Sequence, residues 1–341
     1  MRQFNSMFYI ALIISLSLLF PINYSYAKER KVSVTVEVNL NAPDDARHVR
    51  LWIPYPMSDN NQDVTDVNIN GNFSDMKILR EGNYGNNALY VEWREPNQKR
   101  SIKYSFNVRR TELVTKEFTK REVPFSKEEF NKYLEPTRLV TTDGKVKEYA
   151  EKITKGRKGT LAKARAVYDW VAENMKRDPD VRGCGFGEVE KLLETMSGKC
   201  MDIHSVFVAL MRASGIPARE VTGIRIPQGK EGSMTAAQHC WAEFYLHGYG
   251  WVIVDPADVA KARLEKQLTN EQLKPYREYY FGAVDENRIA VGLGRDIMLN
   301  PPQSGEPLNY FMYPYAEADG VALNEDLFGY NLGYKITFRE L

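Results

Sequence analysis

The sequence predicts an α+β fold: an antiparallel β-sandwich followed by a core in which helices pack on an antiparallel sheet. Three observations carry this reading. Between Lys31 and Arg110, apolar residues recur at every second position, the period of half-buried strands. From Thr160, and again from Cys200, they recur at three- and four-residue steps, the period of amphipathic helices. Two further runs, His239 to Leu246 and Gly250 to Asp255, flank a His247-Gly248-Tyr249 turn in the manner of a hairpin.

Residues 1–27 read as a secretory leader. Arg2 supplies a short positive region, Met7 to Phe20 an apolar stretch, and Ser25-Tyr26-Ala27 a small-residue cleavage pattern. A membrane anchor is the rival reading, but Met7 to Phe20 is shorter than the ~20 residues a spanning helix needs. Residue 28 is Lys rather than Cys, so nothing points to a lipid-modified start. The expected destination is the periplasm or the exterior, with no membrane span after cleavage.

Residues 28–120 form the expected sandwich. Val32, Val34, Val36 and Val38 alternate with Ser33, Thr35, Glu37 and Asn39, and the alternation recurs at Val49, Leu51 and Ile53 and from Ile102 to Val108. Asn70-Gly71 is a hairpin turn signal, and short strands at this spacing suggest two antiparallel sheets. No catalytic grouping appears here, so a packing or binding role is expected, with substrate presentation as the alternative.

Residues 121–262 change period. Ser126 and Glu129 make a capping-box pair, Phe125 and Phe130 a hydrophobic staple, and Pro136 stops that helix. Helices follow near Lys145 to Thr154 and from Thr160 to about Lys176. The glycine-rich Gly183 to Gly187 lacks the spacing and preceding strand of a dinucleotide loop; it reads as a flexible wall near Cys200. A short helix around Val189 to Leu193 leads to the Ser197-Gly198-Lys199 turn. Ile203, Val206, Phe207, Leu210 and Met211 then mark a helix that Gly215 and Pro217 close. Pro217 to Ile226 reads as a strand, and Gln228 to Ser233 as an exposed connector, with a cover over the cleft as the alternative. Residues 263–341 are aromatic-rich. Thr269 to Phe281 reads as a helix kinked near Pro275, and Ile336 and Phe338 as a last short strand. Tyr310, Phe311, Tyr313 and Tyr315 are expected to cover the core and join it to the β domain; a cleft wall for peptide or sugar is the alternative.

Three residues carry chemistry. Cys200 sits at a helix N-terminus, where free N–H groups and the helix dipole favour thiolate and can stabilise an oxyanion. A thiolate needs a base that holds and returns a proton near neutral pH, which His239 supplies. Asp255 supplies the carboxylate that fixes the imidazole. Parity makes a geometric demand: a three-residue loop pairing Leu246 with Gly250 sets Trp241 opposite Asp255 and His239 diagonally within its reach. Taken singly each residue has a plainer role: a packed thiol, a structural histidine, a turn aspartate. Their combination, in this order and on these elements, is harder to assign to packing.

Four stretches together resemble the motifs of the transglutaminase-like superfamily. They are Gly198 to Asp202, Leu210 to Arg219, Gln238 to Glu243 and Gly250 to Pro256. The resemblance, covering roughly Leu139 to Ala262, implies a papain-like core and thiol chemistry with Cys200, His239 and Asp255 as a triad. It leaves the substrate open, as the superfamily includes cross-linkers, proteases, amidases and inactive members. No side-chain oxyanion donor can be placed from sequence; the Cys200 backbone is the one offered.

Composition narrows the partners. At 341 residues, 43% hydrophobic and 27% charged, the chain has ample material for a core. Removing a leader that contains Arg2 leaves basic and acidic residues balanced at 45 each, which gives no electrostatic reason to expect nucleic acid or an anionic membrane. Cys184, Cys200 and Cys240 cannot all pair within a monomer; on the catalytic reading Cys200 stays free. Cys240 points away from His239 and is either a buried thiol, the expectation, or a partner of Cys184. The positions of the cysteines and of His48, His204, His239 and His247 disfavour a structural metal, and no cofactor motif is present. The expected function is an exported cysteine hydrolase or acyltransferase on a protein, peptide or cell-wall amide, hydrolysis before cross-linking. A noncatalytic envelope-binding scaffold on the same fold is the alternative.

Overall fold

The computed structural model describes residues 27–118 and 126–341. The expected leader, apart from Ala27, and Phe125 of the expected staple lie outside the described residues.

Two five-stranded antiparallel sheets form the β layers. In the first, Glu29–Asn39 lies between Tyr334–Glu340 and Ser101–Thr111, with Glu231–Ser233 and Gln62–Gly71 outermost. Val34 stands opposite Phe338 on one side and Phe106 on the other. The alternation read from sequence thus buries Val32, Val34, Val36 and Val38 on one face. The second sheet runs Val321–Ala322, Tyr315–Ala318, Val49–Tyr55, Asn87–Trp93, Asp75–Arg80.

Asn70-Gly71 does not close a hairpin. Gln62–Gly71 belongs to the first sheet and Asp75–Arg80 to the second, so the chain crosses between sheets there. Gly71 answers proximity instead: a Cβ on it would lie 2.5 Å from the Ser101 carbonyl oxygen.

The third sheet positions the site. Its order is Gly250–Val254, Gln238–Leu246, Ala218–Arg225, Arg288–Leu293, all antiparallel. Helix Cys200–Ala213 packs across one face and is buried from Cys200 to Arg212, with Phe207 against Phe244. Helices Gly144–Thr154, Thr160–Asn174 and Val189–Thr195 pack on that helix from outside. One hydrophobic core runs through the β layers and the helical layer; Val34, Ile53 and Phe106 meet Ile224 and Ile289 of the third sheet.

The segment after residue 262 does more than cover the core. It gives Arg288–Leu293 to the third sheet, Tyr315–Ala318 to the second and Tyr334–Glu340 to the first, so each sheet has an edge-to-interior partner from the C-terminal part of the chain. Tyr310, Phe311, Tyr313 and Tyr315 are buried. Glu231–Ser233, expected as exposed connector, pairs with Tyr334–Glu340.

Two helices differ from expectation. Lys127–Phe130 is a four-residue helix followed by a 3-10 turn, Asn131–Tyr133. The Ser126 hydroxyl donates to the Glu128 carboxylate at 2.6 Å and caps no backbone N–H. Asn270–Tyr279 runs through Pro275, begun by a capping box of Thr269 and Gln272.

Candidate active site

Cys200 opens its helix from a tightly held loop. Ser197–Gly198 pairs in parallel with Lys176–Arg177, placing Arg177 opposite Gly198. The Asp202 carboxylate accepts from the Lys199 N–H at 2.9 Å and from the Gly187 N–H at 2.8 Å. The glycine-rich loop is therefore bonded to the first turn of this helix and walls it beside Cys200. Gly185 sits at φ +88°, and a Cβ there would lie 2.0 Å from Asp202 Oδ2. The Met201 N–H donates to the Cys184 carbonyl at 2.9 Å, so this first-turn donor serves the fold.

The hairpin has the three-residue loop that parity demands, with Leu246 opposite Gly250 and Tyr245 opposite Trp251. The second strand ends at Val254, and Asp255 becomes the N-cap of helix Pro256–Lys266. That turn brings its carboxylate under His239. Asp255 Oδ2 accepts from His239 Nε2 at 2.9 Å and from Arg288 Nη1. Its Oδ1 accepts from the Asp258 N–H at 2.8 Å and from His204 Nε2 at 3.1 Å. With Nε2 given to Asp255, Nδ1 is the ring nitrogen His239 has left for the Cys200 thiol, which this imidazole helps to hold as thiolate. The structure therefore bonds His239 to Asp255 and sets Cys200 within the electrostatic reach of that imidazole.

The charges follow from this geometry. The neighbouring Cys184 and Cys240 side chains, then His239, hold Cys200 well below the usual thiol range against the effect of burial. Cys184 is pushed well above that range by the neighbouring Cys200, and Cys240 by burial. Burial and Arg225 favour neutral His239, but Asp255 and Asp258 outweigh them and raise its pKa. Burial would raise Asp255, yet Arg288, His239 and His204 hold it well below the ordinary carboxylate value. The arrangement favours a thiolate–imidazolium pair over two neutral groups.

His204, Asp258, Arg288 and Cys184 join this site without having been singled out for it. His204 follows Cys200 by four residues, which places both on one helix face. That spacing was the available signal. Its Nδ1 meets Cys240 Sγ at 3.2 Å, so Cys240 faces the helix and not, as a disulfide reading would have it, a partner sulfur. All three cysteines are free and buried. Ligand atoms of His239, Asp255 and Asp258 lie within 4.8 Å of one another, a metal-like cluster. The Arg288 guanidinium already bonds both carboxylates, at 2.5 Å for Asp258, and supplies the cation they require.

Cys200 is 2% and His239 5% exposed. Access lies on the imidazole side, where a cavity of about 400 Å³ is lined by His239, Gln238, Arg177, Arg225, Lys261 and Asn287, among others. A cavity of about 440 Å³ between Tyr55, Arg110, Trp241 and Trp251 touches none of the three site residues.

A cysteine at a helix start, a strand histidine and a carboxylate on the neighbouring strand's end define the class of papain-like cysteine sites. The chain belongs to the transglutaminase-like superfamily: the family model described as "Transglutaminase-like superfamily" matches residues 147–256. An uncharacterised protein of Haemophilus influenzae is 38% identical over 301 residues, spanning 80% of this chain and 82% of that one. A protein-glutamine gamma-glutamyltransferase of Pseudomonas aeruginosa is 36% identical over 86 residues, 23% of this chain and 12% of that protein. A crystal structure described as a candidate cysteine protease from Cytophaga hutchinsonii shares the fold at TM-score 0.58 and 16% identity, covering 92% of this chain and 99% of that one. Among the described residues no helix is long and apolar enough to cross a membrane.

Proposed function

We propose that this protein is an exported cysteine enzyme that cleaves amide bonds through Cys200, His239 and Asp255. The Cys200 thiolate attacks the carbonyl carbon, and the Cys200 N–H stabilises the oxyanion. The His239 imidazolium gives its proton to the departing nitrogen, leaving a thioester. His239 then takes a proton from water as the hydroxyl attacks, and the thiolate departs with the acid released. Asp255 holds the ring and its positive charge throughout. The observation that carries the proposal is His239 Nε2 at 2.9 Å from Asp255, with the same imidazole among the groups that lower the Cys200 thiol.

Hydrolysis is favoured over cross-linking by the lining of the cavity beside His239. Arg177, Arg225 and Lys261 border it and no carboxylate does, so a lysine ammonium approaching as acceptor meets like charge. Water meets none. Export rests on the leader pattern at residues 1–27.

The test is incubation of the mature protein with casein peptides and, separately, with casein plus dansylcadaverine. New peptide termini that disappear in Cys200→Ala support the reading. Cys200-dependent dansyl incorporation without cleavage replaces hydrolysis with amine transfer, and neither product removes the enzymatic assignment for such substrates.

A further inference from the structure

We propose that the cavity beside His239 receives the amine side of the scissile bond and that this component carries a carboxylate. The inference rests on reading Cys200 as nucleophile and His239 as proton carrier. Proton economy fixes the side. The nitrogen that leaves takes its proton from the imidazolium, so it must lie against His239, and the approximately 400 Å³ cavity borders His239 but not Cys200.

Charge fixes the ligand. Two of the cations in the lining are already engaged: Arg225 bonds Asp258 at 2.7 and 2.6 Å, and Lys261 lies 3.7 Å from Glu265. Arg177 forms no ion pair among the described residues, and its Nη1 is buried without a hydrogen-bond partner. Gln238 is 9% exposed, and neither atom of its side-chain amide makes a hydrogen bond. The Tyr334 hydroxyl lies beside that amide but donates to the Phe328 carbonyl at 3.2 Å. Buried donors without acceptors are costly and uncommon, and they cluster where a ligand completes them.

Both donors are tied to the chemistry by the backbone. Arg177 pairs across from Gly198, two residues before the nucleophile, and Gln238 adjoins the imidazole. A carboxylate in the cavity accepts from the Arg177 guanidinium and the Gln238 amide together, a match that an ammonium or an apolar group cannot make. The substrate class is therefore a peptide whose amine component is a carboxylate-bearing residue. Either a terminal α-carboxylate or an acidic side chain offers that chemistry.

Competing alkylation tests this without knowledge of the substrate. The rate ratio of iodoacetate to iodoacetamide at Cys200 is measured at pH 6 and compared with that of glutathione. The ratio should exceed the glutathione value and fall by roughly fivefold in Arg177→Gln, the factor a partly solvated charge pair supplies. Lys261→Gln, whose cation faces Glu265, should lower it less. Thermal melting confirms that each variant is folded. A ratio no higher than glutathione's, or one indifferent to Arg177, overturns the proposal while leaving the nucleophile in place. Slow reaction with both reagents instead removes the reading of Cys200 on which the proposal rests. Alanine and aspartic acid α-amide serve as protectants: whichever slows alkylation identifies the carboxylate's source. Protection by alaninamide equal to alanine's, or by none of the three, overturns the proposal.

Discussion

His204 Nε2 lies 3.1 Å from Asp255 Oδ1, the oxygen that His239 does not use. One carboxylate thus orients two imidazoles, and the second stands one helical turn beyond Cys200. His204 is a positioning residue: it fixes Asp255 from below and reaches Cys240 at 3.2 Å. Replacing it with Phe strips Oδ1 of a partner in a fully buried site, a loss of about 1–3 kcal/mol in urea unfolding. Turnover should fall with KM little changed, and His204→Gln should recover part of it. A KM effect with unchanged kcat contradicts the role.

Asp255→Asn should harm both stability and turnover. The carboxylate is fully buried and bonded to Arg288, so removing its charge breaks a buried ion pair, at a cost of about 3–5 kcal/mol. Asp258 and Asp285 also hold Arg288, which should place the loss at the lower end. Equilibrium unfolding and steady-state rates of the variant check this; full activity removes Asp255 from the mechanism.

Acid stability follows from the same cluster. Burial and Asp255 act to raise Asp258, but Arg288, His239 and Arg225 pull it down to about 2. A depressed carboxylate stabilises the fold above its unfolded pKa of about 3.9 and loses that contribution as pH falls through the folded value. Melting temperature should therefore hold above about pH 4 and decline toward pH 2, with a shallower decline in Asp258→Asn. Equal slopes count against the pairing.

Local periodicity made much of this readable. The alternation at Val32 to Val38, the helix after Cys200 and the three-residue hairpin loop are each set by neighbours in sequence. Long-range pairings leave no such mark. Nothing near Val32 announces Glu340 as its cross-strand partner, and Arg288, 33 residues beyond Asp255, reads as an ordinary strand cation. Asn70-Gly71 misleads because its glycine serves a close approach to Ser101 rather than a tight turn. His204 was within reach, since four residues from Cys200 means one helix face, but a lone histidine in an apolar helix carries no chemistry until Asp255 is placed beside it.

The two flanking thiols should tune the nucleophile. Cys184 is the foremost neighbour holding Cys200 low. Cys184→Ala should shift the alkylation profile of Cys200 toward higher pH, with Cys240→Ala acting in the same direction. An unmoved profile in both assigns the low pKa to His239 and the helix terminus alone.

The central claim is that Cys200 is a thiolate paired with His239. Iodoacetamide labelling of Cys200, followed by peptide mass spectrometry from pH 5 to 9, tests it most directly. The rate should already be near its plateau at pH 6, where an ordinary thiol of pKa about 8.5 is under about 1% ionised, and His239→Ala should move the profile upward. A Cys200 profile that rises only near pH 8.5, indifferent to His239, contradicts the account.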